Sequence, residues 1–273
     1  MTATNSELSA YIEAWSDSAD RVIEIGRNLS TDEFLNNTDL PEWSVQDVYA
    51  HLAAIEAALA GSPDDAAALA MMKSAVITPA FTEMGVEARR GVRADAVIEE
   101  LATHVDTRRS QLGAEPPEDP EAIATCLPDG LQWTWRTLLR NRAVDMWTHE
   151  QDIRRAVGRP GNLDGPGAHV TLSAFASSLP YVIGKRAGAP AGTVVALNVT
   201  GDAGFSATIT VDENGRARSL DGPADAPDVD IATDAETFAM LASGRRDAGH
   251  VDVKTSGDVD LAAEILGSMV LTP

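Results

Sequence analysis

The chain has 273 residues, 44% of them hydrophobic, and its 42 acidic side chains outnumber 21 basic ones to give a formal charge of -21. That length and apolar content can bury a core in one large or two modest domains, and two are expected. The acidic excess argues against nucleic-acid phosphates or an anionic membrane surface as partner, and no apolar run is long enough to span a bilayer.

The N-terminus lacks the basic-then-apolar pattern of a signal peptide, which predicts a soluble, cytoplasmic protein. Leu8, Tyr11, Ile12, Trp15, Val22 and Ile23 then mark an amphipathic helix ending near Gly26. A second helix opens with Ser44 as N-cap and Asp47 completing a capping box, and runs to about Gly61. It contains His51 among small and apolar residues. Such a histidine is either a core residue bonded to a carbonyl or a functional imidazole.

Residues 62–92 read as an insertion in a helical bundle, Ala-rich and helical over 64–73 and interrupted at Pro79. Arg89 and Arg90 there either bind an anionic group of a substrate or lie solvated at the surface. A third long helix is expected over 94–112, with Val97, Leu101, Val105 and Leu112 on its apolar side and Gly113 as its stop. The Pro-rich, acidic stretch 114–130 reads as a loop. It holds Cys126, the chain's one cysteine, so an intrachain disulfide is excluded and a reducing compartment fits. No local cation marks its thiol as a nucleophile. The fourth long helix starts near 132–134 and ends at Gly158, with Pro160 beyond.

Glycines and a proline over 161–167 mark a domain boundary, giving domains of 1–160 and 165–273. Beyond it a helix over 168–186 precedes strands at 193–199 and 205–211, a return strand at 216–220 and a short strand at 228–232. Asp234 caps a helix through Leu241, 251–255 is a last strand, and 259–269 a closing helix. The expected fold class is therefore α+β in two domains, a helical bundle followed by a small α+β domain.

The chemistry gathers in the fourth helix. Asp145, His149 and Asp152 are spaced i, i+4, i+7 and share one helical face. If the second and fourth helices are neighbours, His51 joins Asp145 and His149. Two imidazoles and one carboxylate make the three-ligand set of catalytic zinc, with a position left for water or a thiolate. Asp152 either orients His149 from behind or pairs with Arg155.

The pattern Trp43-Ser44-Val45-Gln46-Asp47-Val48-x-x-His51-Leu52, then Arg142-x-x-Asp145-x-x-x-His149-x-x-Asp152-Ile153, then a small α+β domain, resembles the mycothiol-dependent maleylpyruvate isomerase family. The resemblance covers nearly the whole chain. It implies a DinB-like four-helix metal-binding bundle joined to a sterol-carrier-like C-terminal domain. It also implies a divalent metal, usually zinc, on the residues matching His51, Asp145 and His149, with mycothiol as thiol cosubstrate of an isomerase or S-transferase acting on a small electrophile.

The family usually has Glu at the position of Asp145, so the carboxylate here is one methylene shorter. Ser243-Gly244-Arg245-Arg246 resembles the family's Gly-Arg element, and Arg245 is either the candidate for catalysis and for binding a substrate carboxylate or an exposed arginine that relieves an acidic surface. Two other readings fit the same residues: a non-catalytic metal- or ligand-binding protein, and a metal-dependent hydrolase whose turnover needs no thiol. As an oligomer, a monomer or small homo-oligomer is expected.

Overall fold

Apolar spacing dictates the helices of the first half, and a computed structural model shows how they pack; it describes residues 3–63, 79–127 and 131–272. Helix α1 (Ala3–Arg27) is followed by a short 3-10 turn (Glu33–Leu35) and α2 (Val45–Ala60). Then come α3 (Pro79–Glu87), α4 (Ala94–Ala114) and α5 (Trp135–Ala156). The expected helix over 64–73 lies outside the described residues. Gly113 does not stop α4, which continues to Ala114, because the buried Leu112 still holds the last turn against the core.

Ser44 caps α2 as expected. Its side chain accepts from the Asp47 backbone N–H, and Asp47 accepts in return from the Ser44 N–H at 2.9 Å. At the other end Gly61 takes φ +88°, a left-handed C-cap that favours glycine. Nearly every residue of α2 between those caps is buried. A helix covered all round is an interior helix, so its polar residues, His51 and Glu56, must find partners inside the protein. Helix α1 packs along α5 and α4, while α2 packs along α4, α3 and α5. Trp15, Tyr49, Leu101 and Trp147 are all 1% exposed or less and form the heart of this bundle.

The chain divides into two compact units, Met1–Gly161 and Asn162–Pro273. The second opens with α6 (Pro166–Ser177), where the sequence predicts one continuous helix to 186. The helix instead breaks at Ser178, restarts over Leu179–Tyr181 and continues as a π-helical turn, Val182–Arg186. Pro180 explains the break: it has no N–H to donate back to the preceding turn, and its ring crowds the carbonyl four residues earlier.

Five strands follow: β1 (Val194–Thr200), β2 (Phe205–Val211), β3 (Ala217–Leu220), β4 (Val229–Asp234) and β5 (Lys254–Gly257). The spatial order is β3-β2-β1-β4-β5, with β1 and β4 parallel and every other pair antiparallel. Val195, Leu197 and Val199 of β1 lie buried beside Val229, Ile231 and Thr233 of β4 in register, the alternation of a sheet with one covered face. That face packs on α7 (Ala235–Ala242), which Asp234 caps, and Phe238 of α7 meets Phe205 edge-on at 5.2 Å. Helix α8 (Val259–Gly267) packs on β4 and β5.

The last strand lies later than the expected 251–255, because residues Ala248–His250 form a 3-10 turn first. Its register is fixed by Gly257, at φ +85°, where an added Cβ would stand 2.1 Å from the Asp228 carbonyl oxygen. The α+β class read from the sequence is the class observed.

Candidate metal centre

Helix α2 carries His51 and α5 carries Asp145 and His149, and their packing brings the three side chains together. One ligand atom from each lies within 4.8 Å of the others. His51 Nε2 is 3.5 Å from Asp145 Oδ2, and His149 Nε2 is 3.6 Å from Asp145 Oδ1. A tetrahedral ion with bonds near 2.0–2.1 Å spaces its ligands by about 3.3 Å; the two imidazole–carboxylate separations, to different oxygens of Asp145, are near that value, and the 4.8 Å span of the set would contract around an ion. Both imidazoles are buried, and the Asp145 side chain is 31% exposed, leaving one side of the group open.

Each of the three side chains is held differently. His149 Nδ1 lies 3.0 Å from Asp152 Oδ2. Because a carboxylate only accepts, that bond puts a proton on Nδ1 and leaves Nε2 as the ring nitrogen that faces Asp145. Asp152 is itself held by Arg155 Nη2 at 2.6 Å, and Arg155 Nε donates to Asp39 at 2.8 Å. Asp152 thus bonds both His149 and Arg155.

His51 has no hydrogen-bond partner on either ring nitrogen among the described residues, although both atoms are buried. Burial pushes its pKa down, against the opposing pull of Asp145, so the ring is neutral and its lone pair available. A buried, unpaired polar atom is costly unless something binds it, and a cation among these three side chains would do so. Asp145 is ionised: burial opposes the charge, but the Arg142 guanidinium beside it holds the pKa well below the carboxylate range. Two imidazole nitrogens and one carboxylate fit a zinc-like divalent ion.

Trp43, just before the cap of α2, closes one flank. Its ring centroid is 5.2 Å from His51 and 6.2 Å from His149, nearly parallel to the latter at 28°. Its Nε1 donates to Glu83 at 3.2 Å. No role for Trp43 follows from periodicity; its signals are its position immediately before the N-cap and its place at the head of the pattern that runs to Leu52.

The arginines behave otherwise. Arg89 is buried; its Nε and Nη2 donate to Glu100 and its Nη1 to the Gly85 carbonyl. Arg90 binds Asp47 at 3.1 Å and Glu83 at 3.0 Å, and pairs with Glu87. Arg245, half-buried in the second unit, donates from Nη1 to the Ser243 carbonyl at 2.8 Å.

Residues 15–154 match the mycothiol maleylpyruvate isomerase N-terminal domain, and residues 169–264 match the corresponding C-terminal domain. The chain belongs to the mycothiol-dependent maleylpyruvate isomerase family. Two solved structures share its fold: a mycothiol-dependent maleylpyruvate isomerase at 17% identity, and a histidine-to-alanine mutant of such an isomerase at 16%. Each comparison covers 94% of this chain and 96% of the other, with a TM-score of 0.57. No curated protein matches the chain. The family resemblance read from the residues around His51 and Asp145/His149 is therefore the family found. No described helix is long and apolar enough to cross a membrane.

Proposed function

We propose that the chain is a mycothiol-dependent, divalent-metal-assisted enzyme, an isomerase or thiol S-transferase acting on a small electrophile. The observation that carries this reading is His51: a buried imidazole whose two nitrogens lack a hydrogen-bond partner among the described residues, facing Asp145 and His149 in a chain of this family. His51, Asp145 and His149 would hold the ion, zinc being the best match to the donor set. When bound, such an ion stabilises a thiolate at neutral pH and so supplies a nucleophile.

The protein's own groups do the rest. Asp152 keeps the proton of His149 on Nδ1, so Nε2 stays a lone-pair donor. Asp145, partly exposed, marks the side from which thiol and substrate enter. Trp43 covers the imidazoles with an apolar ring and limits water there. In an isomerase the thiolate sulfur forms a C–S bond at a conjugated double bond, whose electrons move toward the conjugated carbonyl. Rotation about the resulting single bond and loss of the same thiolate restore the double bond in the other geometry. In a transferase the C–S adduct is released instead. Arg245 is proposed to take a substrate carboxylate. Arg89 and Arg90 are assigned to holding α3 in the first unit, because acidic residues already surround them.

The test is metal content by mass spectrometry, followed by turnover of a cis-unsaturated keto acid with and without mycothiol. The reading expects about one zinc per chain, lost in His149→Ala together with thiol-dependent turnover. Thiol-independent turnover would instead favour a hydrolase, and a native protein that takes up no metal would favour a non-catalytic binding protein.

A further inference from the structure

Arg142 stands between two carboxylates. Its Nε and Nη2 donate to Glu56 Oε1 at 3.1 and 2.7 Å, while its Nη1 donates to Asp145 Oδ2 at 2.8 Å. Glu56 is fully buried and also accepts from Arg108 Nη1 on Oε2 at 2.9 Å and from Trp15 Nε1 on Oε1 at 2.9 Å. Arg108 in turn lies 5.0 Å over the Trp15 ring. One interior carboxylate thus anchors three side chains, drawn from α1, α4 and α5, and none of them touches the imidazoles by a hydrogen bond.

A guanidinium is planar, and one bonded through Nε and Nη2 has no freedom to turn. The direction of the N–H that reaches Asp145 is therefore set by Glu56. That bond commits Oδ2, since an oxygen accepting a short charge-assisted hydrogen bond is a poorer donor to a cation. Oδ1 is left facing His149 Nε2 at 3.6 Å, outside hydrogen-bonding distance, while His51 Nε2 lies 3.5 Å from the committed Oδ2. An unrestrained aspartate could offer both oxygens to one ion. We infer that Arg142, anchored by the buried Glu56, is a positioning residue that holds Asp145 as a one-oxygen metal ligand through Oδ1.

This inference rests on the metal reading proposed above, and cobalt(II) separates the two. The full chain is titrated with cobalt(II) while its visible spectrum is followed, and zinc affinity is measured by competition, for native protein, Arg142→Met, Arg142→Lys and His149→Ala. Native protein is expected to give the intense bands of four-coordinate cobalt, absent in His149→Ala.

Freeing Oδ2 in Arg142→Met raises the coordination number, so those bands lose intensity, and zinc affinity falls by roughly 10- to 100-fold, the usual scale for losing a group that orients a ligand. Lysine is a point donor that cannot fork across Glu56 and Asp145 together, so Arg142→Lys shows the same spectral change and decides the matter if the methionine variant does not fold. A purely structural Arg142 would lower the melting temperature of the variants and leave the cobalt spectrum of the folded protein untouched. Native-like spectrum and zinc affinity in the variants that fold would overturn this inference alone; no His149-dependent cobalt binding by the native protein would overturn it together with the metal reading.

Discussion

Two clusters of charge flank the imidazoles of the first unit, and they differ in one respect, access to water. On the Asp145 side, Glu56, Arg108 and Arg142 have side-chain exposures of 0%, 2% and 6%. On the Trp43 side, Asp47, Arg90 and Glu83 stand at 13%, 37% and 44%. Both sets are drawn with hydrogen bonds of similar length. In the interior, however, each charge has given up its hydration for its partners, so the loss of one strands the others. At the surface, water replaces whatever partner is removed. Similar geometry therefore carries unequal energetic weight, and the buried cluster is the one attached to Asp145.

The most damaging way to probe that difference is Glu56→Ala, which leaves two buried guanidinium groups without their shared anion. Chemical denaturation should show a loss of about 3–5 kcal/mol; a loss under about 1 kcal/mol, the range of exposed pairs, would mean that burial does not set the ranking. Acid offers a second probe. Burial opposes the charge on Glu56, but Arg142 and Arg108 outweigh it and hold the pKa below the usual value. The folded pKa is thus depressed, so the stabilisation is complete above the unfolded value, about 4.3, and disappears as pH falls through the folded one. Stability measured against pH below about 4.3 should fall more steeply in the native chain than in Glu56→Gln, and equal slopes would remove Glu56 from the acid response.

Ser44→Ala tests the cap that ties Asp47 to α2, with an expected cost of about 1 kcal/mol in the same denaturation assay. Arg90→Ala should have the smallest effect, a melting midpoint close to native. If it melts as early as Glu56→Ala, the contrast drawn between the two clusters fails.

The extent to which the sequence announces these features follows from their chemistry. His51, Asp145 and His149 are legible because polar residues that recur at helical spacing on an apolar face are seldom placed there by packing alone. The capping box at Ser44 and Asp47, the cap at Asp234 and the second strand, Phe205–Val211, are legible from local rules of the same kind. The buried cluster is not, although each member leaves a trace. Arg108 fills the core position between Val105 and Leu112, and Glu56 interrupts the apolar run from Leu52 to Leu59. Nothing local says that two such interruptions, far apart in sequence, cancel one another. The break at Ser178 escapes a reading by periodicity because the apolar pattern continues through it while Pro180 removes the hydrogen bond. The parallel pairing of β1 with β4 depends on tertiary packing, which alternation along a single strand does not encode.

That pairing also sets an order of events during synthesis. Strands β1, β2 and β3 are consecutive and antiparallel, so they can zip together as soon as they leave the ribosome. The outer edge of β1 must then wait for Val229–Asp234 to arrive, with Val195, Leu197 and Val199 uncovered meanwhile. An unpaired apolar edge is a template for association with another nascent chain. A chain that stalls between β3 and β4 would expose such an edge, whereas the finished sheet ends in β5, a strand of four exposed residues that begins with a lysine. The middle of the mature sheet is thus the part the growing chain leaves open longest.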